Sequence, residues 1–400
     1  MFKLLKCYQQ SKTIGATFVV AGTAIGAAVL AQPLTASSIG YQNSLFLLFG
    51  MWLLMIIASY VQLALFKNKP DNMSFAKLVN CEIGSIGQAV ALCVKMLLFY
   101  SLLAAYMTGG TSVMLGLLSQ LNIYIPHALG VFFFALVFGS IVSFSTRAVD
   151  QTNRIFLKIL FSLFAVLLFF LLPQTQSVYL CESVTFDIRN WLIAIPIIFT
   201  SYGFHGSIPS LIAYLKNDQK KLMLSFFVGS LITLLVYILW QTATLGTIAC
   251  SQLAQLNKSQ LPVFLSQIGQ MSTYPILMPH LLNIFSFCAI VTSFLGVGLG
   301  QFNYISELTE NKLNTQLPAI KQLFNVILTV GVPLIFALAY PKGFILALSV
   351  ASAWLAILAL ILPGIMGVRS KQFSMAQRSL SCLCLLSGIS LLCLELYLLF

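Results

Sequence analysis

Eleven long apolar runs, separated by polar connections, make up most of the chain. Each is at least as long as the ~20 residues that an α-helix needs to cross a ~30 Å hydrocarbon core. Because 59% of the 400 residues are hydrophobic and only 8% are charged, a water-soluble domain could not bury them all. The sequence therefore predicts an all-α polytopic membrane protein with eleven transmembrane helices, called spans 1 to 11. They are expected near residues 13–40, 44–66, 87–118, 126–146, 152–173, 190–215, 222–247, 280–306, 319–340, 344–367 and 379–399.

The basic residues are distributed unevenly between the connections. If the N-terminus is cytoplasmic, 17 of the 21 lysines and arginines fall in cytoplasmic segments, and Lys95 falls within a span. The external segments then hold Arg189, Lys258 and Lys342. An excess of Lys and Arg in cytoplasmic loops is the usual rule. We therefore expect a cytoplasmic N-terminus and an external C-terminus, and the net charge of +12 does not call for nucleic acid as a partner.

Two of the runs contain helix-breaking residues near their centres. Span 1 contains GTAIGA with Gly22 and Gly26, and span 6 contains SYGFHGS with Gly203 and Gly206. Spans five apart cross the membrane in opposite directions, and interrupted spans in matching positions of two inverted halves indicate a transporter's central site. Gly22-x-x-x-Gly26 taken alone also matches a helix-packing motif. The expected single membrane domain has repeats at about 13–173 and 190–367 and an extra helix at 379–399.

A broken helix exposes backbone groups that can bind a ligand. One half ends in unpaired carbonyl groups, which attract a cation, and the other begins with unpaired N–H groups, which attract a carboxylate. Two adjacent breaks can therefore hold the ammonium and carboxylate groups of an amino acid. The candidate substrate-binding residues are Gly22, Thr23, Ala24, Ile25, Gly26 and Ala27 in span 1, and Ser201, Tyr202, Gly203, Phe204, His205 and Gly206 in span 6.

The segments GATFVVAGTAIGAAVLAQPLTASSIGY, IPIIFTSYGFHGSIPSLIAYL and TSFLGVGLGQFNYISEL resemble the hydroxy/aromatic amino acid permease family, in particular its bacterial tyrosine-specific branch. The resemblance covers nearly the whole chain. It implies the amino acid–polyamine–organocation superfamily, with a five-plus-five inverted-repeat (LeuT-type) core. It also implies a proton-coupled symporter that imports tyrosine or tryptophan through the bacterial inner membrane. The partners are then the amino acid, protons and lipid; we expect no cofactor and no metal.

Further candidates come from polar side chains inside other spans. Tyr100 lies near the middle of span 3 and is a candidate substrate contact, because a buried phenol needs a partner. Tyr106 is expected to face elsewhere, since six residues rotate a helix by about 600°. The candidates for ion coupling are His205, Lys158, Lys95, Thr292 and Ser293. Each also has a structural interpretation: bracing for the histidine, snorkelling for the lysines, and bonding to the preceding turn for the hydroxyls.

Three alternatives remain open at this stage. Sodium coupling, or a preference for tryptophan or phenylalanine, would keep the transporter class. An integral-membrane enzyme would need a catalytic motif, and the chain has no HExxH, GxSxG or acidic pair in an apolar span. A channel would usually form its pore by oligomer symmetry, whereas the repeat expected here lies within one chain. Cys181 and Cys250 both fall in predicted external loops, and the sequence does not decide whether they pair.

Overall fold

The computed structural model describes residues 2–182, 184–249, 253, 261–310 and 318–399, and every regular element within these ranges is helical. Within these described ranges, ten helices are long and apolar enough to cross a membrane, or eleven if one bent pair counts as a span. The predicted all-helical membrane architecture is therefore confirmed. All eleven predicted spans lie within the described residues, whereas Cys250, one half of the possible cysteine pair, lies outside them.

The spans begin and end close to the expected positions. Their bounds are Phe2–Ala24 (span 1a) and Ala28–Ala36 (span 1b), Tyr41–Leu65 (2), Ser85–Gln120 (3), His127–Phe144 (4), Thr146–Leu171 (5), Ile188–Ser201 (6a) and Ile208–Tyr214 (6b), Gln219–Leu245 (7), Leu277–Glu310 (8), Pro318–Ala339 (9), Phe344–Arg369 (10) and Met375–Leu399 (11). Shorter helices lie in the connections, at Phe75–Ile83, Ser177–Leu180 and Leu261–Met271, with a 3₁₀ turn at Leu172–Gln174.

Side-chain caps define where several helices begin. The Ser145 hydroxyl accepts a hydrogen bond from the Ala148 N–H at 3.0 Å at the start of span 5. Asp187 and Asp218 cap spans 6a and 7 in the same way, by accepting from backbone N–H groups of the first turn. These oxygens satisfy donors that a helix leaves unpaired at its N-terminus. The polar caps therefore place the helix starts at the ends of the apolar runs.

Contacts between helix ends fit the expected alternation of the chain across the membrane. The Asn217 amide, between spans 6b and 7, donates to the Phe66 and Lys69 carbonyls just after span 2. At the opposite ends of these spans, the hydroxyls of Tyr41 and Thr242 lie 2.8 Å apart. Loops expected on one side of the membrane are thus joined to each other.

Spans 1 and 6 are both interrupted, as predicted. Spans 1a and 1b meet at 51°. Span 6 follows one path from Ile188 to Tyr214, but its α-helix stops at Ser201, and a 3₁₀ turn at His205–Ser207 precedes span 6b. A third irregularity was not predicted, because no glycine marks it: span 10 changes from α to π geometry at Ile357–Ile361. Turns of this kind inside helices are frequent at functional sites.

The two interrupted spans lie inside the helix bundle. Span 1a packs against span 7, span 1b against spans 6a and 7, and span 6a against span 10. Spans 3 and 8 pack along each other, and span 11 packs against spans 10 and 2. Large apolar side chains on the outer faces are exposed, such as Phe46, Leu136 and Phe169. These outer faces suit contact with lipid hydrocarbon. The backbone groups of the two breaks, by contrast, are enclosed by other helices, as unpaired backbone groups in a membrane need to be.

Candidate functional site

The break in span 1 is held open by span 8. The Ala27 N–H, between spans 1a and 1b, donates to the Ser293 hydroxyl of span 8 at 2.9 Å. That hydroxyl donates in turn to the Ala289 carbonyl of its own helix at 2.9 Å. Gly26 is required here, because a Cβ at this position would overlap the Ser293 hydroxyl. Ser293 therefore takes the place of the missing helix carbonyl at the start of span 1b.

A tyrosine of span 7 joins the two breaks. The Tyr237 hydroxyl lies 2.7 Å from the Ala24 carbonyl, at the end of span 1a, and 2.9 Å from the Ser201 carbonyl, at the end of span 6a. Tyr237 is fully buried. A hydroxyl has one proton, so it donates to one carbonyl at a time or is shared between them. The carbonyl ends of spans 1a and 6a thus face the same side chain.

The break in span 6 is built from tight turns. The Gly203 N–H bonds to the Thr200 carbonyl and the Phe204 N–H to the Tyr202 carbonyl. A Cβ on Gly203 would lie 2.9 Å from the Thr200 carbonyl oxygen and 3.1 Å from a methyl group of Leu355 in span 10. Glycine is therefore needed at this position for close packing.

His205 is buried within this break and contacts span 2. Its Nε2 lies 3.1 Å from the Met55 carbonyl, and because a carbonyl only accepts, Nε2 carries a proton. Its Nδ1 is buried without a hydrogen-bond partner among the described residues. The imidazole therefore braces span 6 against span 2 through one nitrogen, while the lone pair of the other remains available.

Aromatic and hydroxyl groups surround the junction of the breaks. The Tyr202 ring packs edge-on against Tyr237, with centroids 5.6 Å apart. The Tyr106 side chain of span 3 interacts with Ser293 and lies near Tyr237. Tyr106 thus faces the break, although the sequence analysis placed it elsewhere. The Trp240 ring follows on span 7 and packs against Phe285 at 5.1 Å.

Several buried polar atoms in the spans around this junction have no protein partner among the described residues. A buried polar atom without a hydrogen bond costs ~1–3 kcal/mol, so such atoms are typical of places that bind water or a ligand. They are the Tyr202 hydroxyl, the Trp240 Nε1, both polar atoms of the Gln32 amide, the Thr111 hydroxyl, the Asn283 Oδ1 and the Ser286 hydroxyl. These atoms belong to spans 6, 7, 1b, 3 and 8.

Other predicted substrate contacts point away from the junction. The Tyr100 hydroxyl donates to the Leu328 carbonyl of span 9 at 2.9 Å, because its helix face meets spans 8 and 9. The Thr23 hydroxyl is exposed and donates to the Val19 carbonyl, one turn earlier in span 1a. The Ser201 hydroxyl donates to the Ile197 carbonyl. These three hydroxyls satisfy backbone carbonyls, while the Ser201 and Ala24 carbonyls face Tyr237.

The candidates for ion coupling occupy different environments. Thr292 is buried and its hydroxyl donates to carbonyls of the preceding turn in span 8, whereas Ser293 contacts the break as described. The Lys95 ammonium lies 5.0 Å from the Tyr304 ring centroid and interacts with Glu307 of span 8. Lys158 is exposed on span 5. Of the two lysines, Lys95 is therefore the one that is partly buried between spans.

The arrangement favours binding of a small zwitterion by the backbone groups at helix ends, without help from a charged side chain of the protein. Two helix carbonyl ends meet at Tyr237 and carry partial negative charge, whereas the starts of spans 1b and 6b carry partial positive charge. Sequence reasoning missed Tyr237 because its role depends on how span 7 packs between the breaks. A tyrosine near the centre of an apolar span was the available signal, since its hydroxyl needs a partner.

Comparison with known proteins shows which family the chain belongs to. Residues 9–392 match the tryptophan/tyrosine permease family. The chain is 36% identical to tyrosine-specific transport system 1 of Haemophilus influenzae over 88% of its length and 87% of the relative's. It is 32% identical to tyrosine-specific transport system 2 of the same species, over 88% and 87% of the two chains. It is also 32% identical to a tryptophan-specific transport protein of Pseudomonas aeruginosa, over 90% and 86%. The chain, a helical integral membrane protein, therefore belongs to the tryptophan/tyrosine permease family.

Proposed function

We propose that this protein is a secondary active symporter that imports L-tyrosine together with protons. The observation that carries the proposal is the Tyr237 hydroxyl, which lies within hydrogen-bonding distance of the Ala24 and Ser201 carbonyls. It brings the ends of spans 1a and 6a to one point inside the bundle. The substrate ammonium group binds at these carbonyl ends, and the substrate carboxylate binds at the starts of spans 1b and 6b.

The groups beside the breaks support an aromatic substrate. The rings of Tyr106, Tyr202 and Trp240 offer flat apolar surfaces, which suit stacking against another ring. The unpartnered Tyr202 hydroxyl and Trp240 N–H supply hydrogen bonds that a phenol can accept. A lysine side chain would bring a charge into this site without a partner. Two of the relatives compared above are named for tyrosine, which favours that substrate.

A preference for tryptophan is the second candidate. The tryptophan-specific relative of Pseudomonas aeruginosa is as similar in identity as the second tyrosine-specific one. An indole N–H donates but does not accept, so tryptophan needs an acceptor where tyrosine can use the Trp240 donor. Competition separates the two: unlabelled tyrosine should reduce labelled tyrosine uptake at a lower concentration than tryptophan, and leucine and lysine should compete weakly. The reverse order would favour tryptophan, and equal inhibition by all four would contradict an aromatic site.

Several contacts favour protons over sodium. A sodium site needs several oxygen ligands, but the Ser293 hydroxyl already accepts from Ala27 and donates to Ala289. The Thr292 hydroxyl bonds to its own helix. By contrast, the free Nδ1 of His205 can accept a proton inside the span 6 break. Lys95 is a further candidate because it lies between spans 3 and 8.

Histidine substitution tests the proton step. His205→Gln keeps a hydrogen-bond donor for the Met55 carbonyl but removes the imidazole. We expect it to reduce pH-driven tyrosine accumulation more strongly than tyrosine exchange. His280→Gln is the matched control, because His280 is exposed and contacts Gln120. Normal accumulation by His205→Gln would make His205 a bracing residue and assign the proton step to another titratable group, such as Lys95.

Import requires a defined orientation in the bacterial inner membrane. We propose that the N-terminus and the turn at 216–218 are cytoplasmic and the C-terminus is external, with spans 1–5 and 6–10 as inverted repeats that alternate access to the site. The support is the distribution of basic residues. A reporter that is active only in the cytoplasm can be fused to the C-terminus, and activity of this fusion would contradict the proposed orientation.

A further inference from the structure

Span 11 carries a buried acidic residue outside the two breaks. Glu395 lies near the end of Met375–Leu399, and only 1% of its surface is exposed. Its face of the helix packs on span 10, together with the buried Leu391 one turn earlier. An ionisable group within a transmembrane helix is costly to bury and usually has a function. Sequence reasoning overlooked it, although an acidic residue in an apolar run was a visible signal.

Two serines of span 10 hold the carboxyl group. The Ser349 hydroxyl lies 3.1 Å and 3.0 Å from the two carboxyl oxygens of Glu395. The Ser352 hydroxyl, which is fully buried, makes a short hydrogen bond to Oε1. Residues three apart share one face of a helix, so both hydroxyls face span 11 together. The cluster is therefore a built site of one carboxyl group and two hydroxyls.

No cation neutralises this carboxyl group among the described residues. Its interactions are with Ser349 and Ser352, and the ion pairs of the described residues lie elsewhere. Span 2 has the titratable groups Tyr41 and Tyr60, span 6a has Arg189 with Asp187 at its N-cap, and span 10 has Arg369 with Tyr340 and Lys342 just before it. Span 11 itself carries Arg378, Cys382, Cys384, Cys393 and Tyr397. Tyr41 and Tyr60 bond to Thr242 and Gln377. Arg189 and Lys342 are exposed.

Hydroxyl groups suit a carboxyl group that changes its charge. A serine donates its proton to a carboxylate, and after rotation it accepts from a carboxylic acid. Both forms of Glu395 can therefore be hydrogen-bonded by the same two side chains without movement of the backbone. The cluster offers four oxygens, two of the carboxyl group and two of the hydroxyls. This is fewer than the six or more oxygens that hard metal cations usually take, which favours a proton as the ligand.

Span 10 connects this cluster to the span 6 break. Its π turn at Ile357–Ile361 follows Ser352 by little more than one helical turn and packs against the 3₁₀ turn at His205–Ser207. Leu355 lies against Gly203, as described above, and the Thr200 hydroxyl is 3.5 Å from the Leu348 carbonyl. A change in the packing of span 10 on span 11 therefore reaches the break through directly contacting residues.

We propose that Glu395, held by Ser349 and Ser352, is a proton-binding site that links proton binding to the packing of spans 10 and 11 and so to the span 6 break. Binding forms one O–H bond on the carboxylate, and release returns the proton to water. The inference rests on the proposed proton symport. Ser349 and Ser352 are positioning residues, since they act through Glu395.

The test uses the full chain in liposomes with labelled tyrosine. Glu395→Gln keeps hydrogen bonding but cannot take up a proton. One proton per substrate allows roughly tenfold accumulation for an inside-alkaline gradient of one pH unit, because each pH unit is a tenfold free-energy step. We expect Glu395→Gln to lower this ratio towards one and to flatten the pH profile, with tyrosine exchange within about twofold of the parent. Glu395→Asp should restore part of the pH dependence.

A spectroscopic arm does not depend on transport. Infrared difference spectra between acidic and neutral pH should contain a carbonyl band of a protonated carboxyl group that is absent in Glu395→Gln. Ser352→Ala should shift this band or its pH midpoint, whereas Ser390→Ala, on an exposed face of span 11, should not. An unchanged band in Glu395→Gln, or parent-like accumulation by this variant, overturns the inference while leaving proton symport standing. A parent protein that ignores the pH gradient, or a parent response that requires sodium, overturns both proposals.

Discussion

Removal of one hydroxyl from span 7 should separate the two breaks. In Tyr237→Phe the ring remains, so the packing against Tyr202 is preserved, and only the donor to the Ala24 and Ser201 carbonyls is lost. The Ala24 carbonyl still accepts the Gly26 N–H at 2.9 Å. No other described group donates to the Ser201 carbonyl. The substitution therefore leaves one buried carbonyl without a donor.

The size of the effect follows from this count. A buried acceptor without a partner costs ~1–3 kcal/mol, and we take the middle value of about 2 kcal/mol. Because each ~1.4 kcal/mol is a factor of ten, the conformation that joins the breaks loses roughly 30-fold in population relative to others. For a ligand that binds only this conformation, the apparent dissociation constant rises as the fraction of protein in that conformation falls. The largest possible rise equals the loss in population. We therefore expect the tyrosine dissociation constant to rise by up to roughly 30-fold.

The assay is equilibrium binding of labelled tyrosine to purified protein, with uptake as a second readout. Tyr41→Phe is the matched control, because it also removes a tyrosine hydroxyl that bonds span 7, but at the end of that span. We expect the control to stay within about threefold of the parent. A Tyr237→Phe protein that is folded and binds tyrosine as tightly as Tyr41→Phe would refute the role assigned to this hydroxyl.

Two further predictions concern a glycine and a helix cap. Gly26→Ala should reduce tyrosine uptake by at least roughly tenfold, because the added Cβ overlaps the Ser293 hydroxyl. Gly50→Ala is the control, since its Cβ meets nothing within 4 Å, and it should leave uptake unchanged. Equal uptake by both variants would contradict the close approach of span 8 to Gly26. A hydrogen bond from Lys221 lowers the pKa of Asp218 below its ordinary value of 3.8, so the stabilisation by this carboxylate is present above that value and is lost as pH falls through the lowered pKa. Asp218→Asn should therefore lower the free energy of unfolding at pH 7 by less than about 1 kcal/mol, since the ion pair is partly exposed to solvent. The difference from the parent should shrink in acid, and a difference that does not change with pH would contradict this origin.

The spans could be predicted from sequence because lipid imposes a simple rule. A chain in hydrocarbon must satisfy its backbone within each helix, so every span leaves a long apolar run. The breaks could also be predicted, because glycines interrupt two of the apolar runs. In the structure Gly26 and Gly203 stand where side chains would collide. The π turn of span 10 left no such signal, since the residues Ile357–Ile361 are all ordinary helix or core residues.

The partners across the breaks could not be predicted, because they depend on how the helices rotate against one another. The spacing of Tyr100 and Tyr106 showed that they face different directions, but it did not show which one faces the break. In the structure Tyr106 interacts with Ser293, and Tyr100 bonds to span 9. Tyr237 gains its importance from two carbonyls that belong to other spans. Contacts of this kind arise from tertiary packing and leave no local pattern.

Tyrosine accumulation by the purified protein in sodium-free liposomes is the most direct test of the account. An inside-alkaline pH gradient is imposed, and internal labelled tyrosine is compared with external tyrosine over time. The account predicts that tyrosine rises above the external concentration, that the rise collapses when a protonophore removes the gradient, and that excess unlabelled tyrosine blocks it. Uptake that only equilibrates across the membrane, or that requires sodium whatever the pH gradient, would contradict proton-coupled symport.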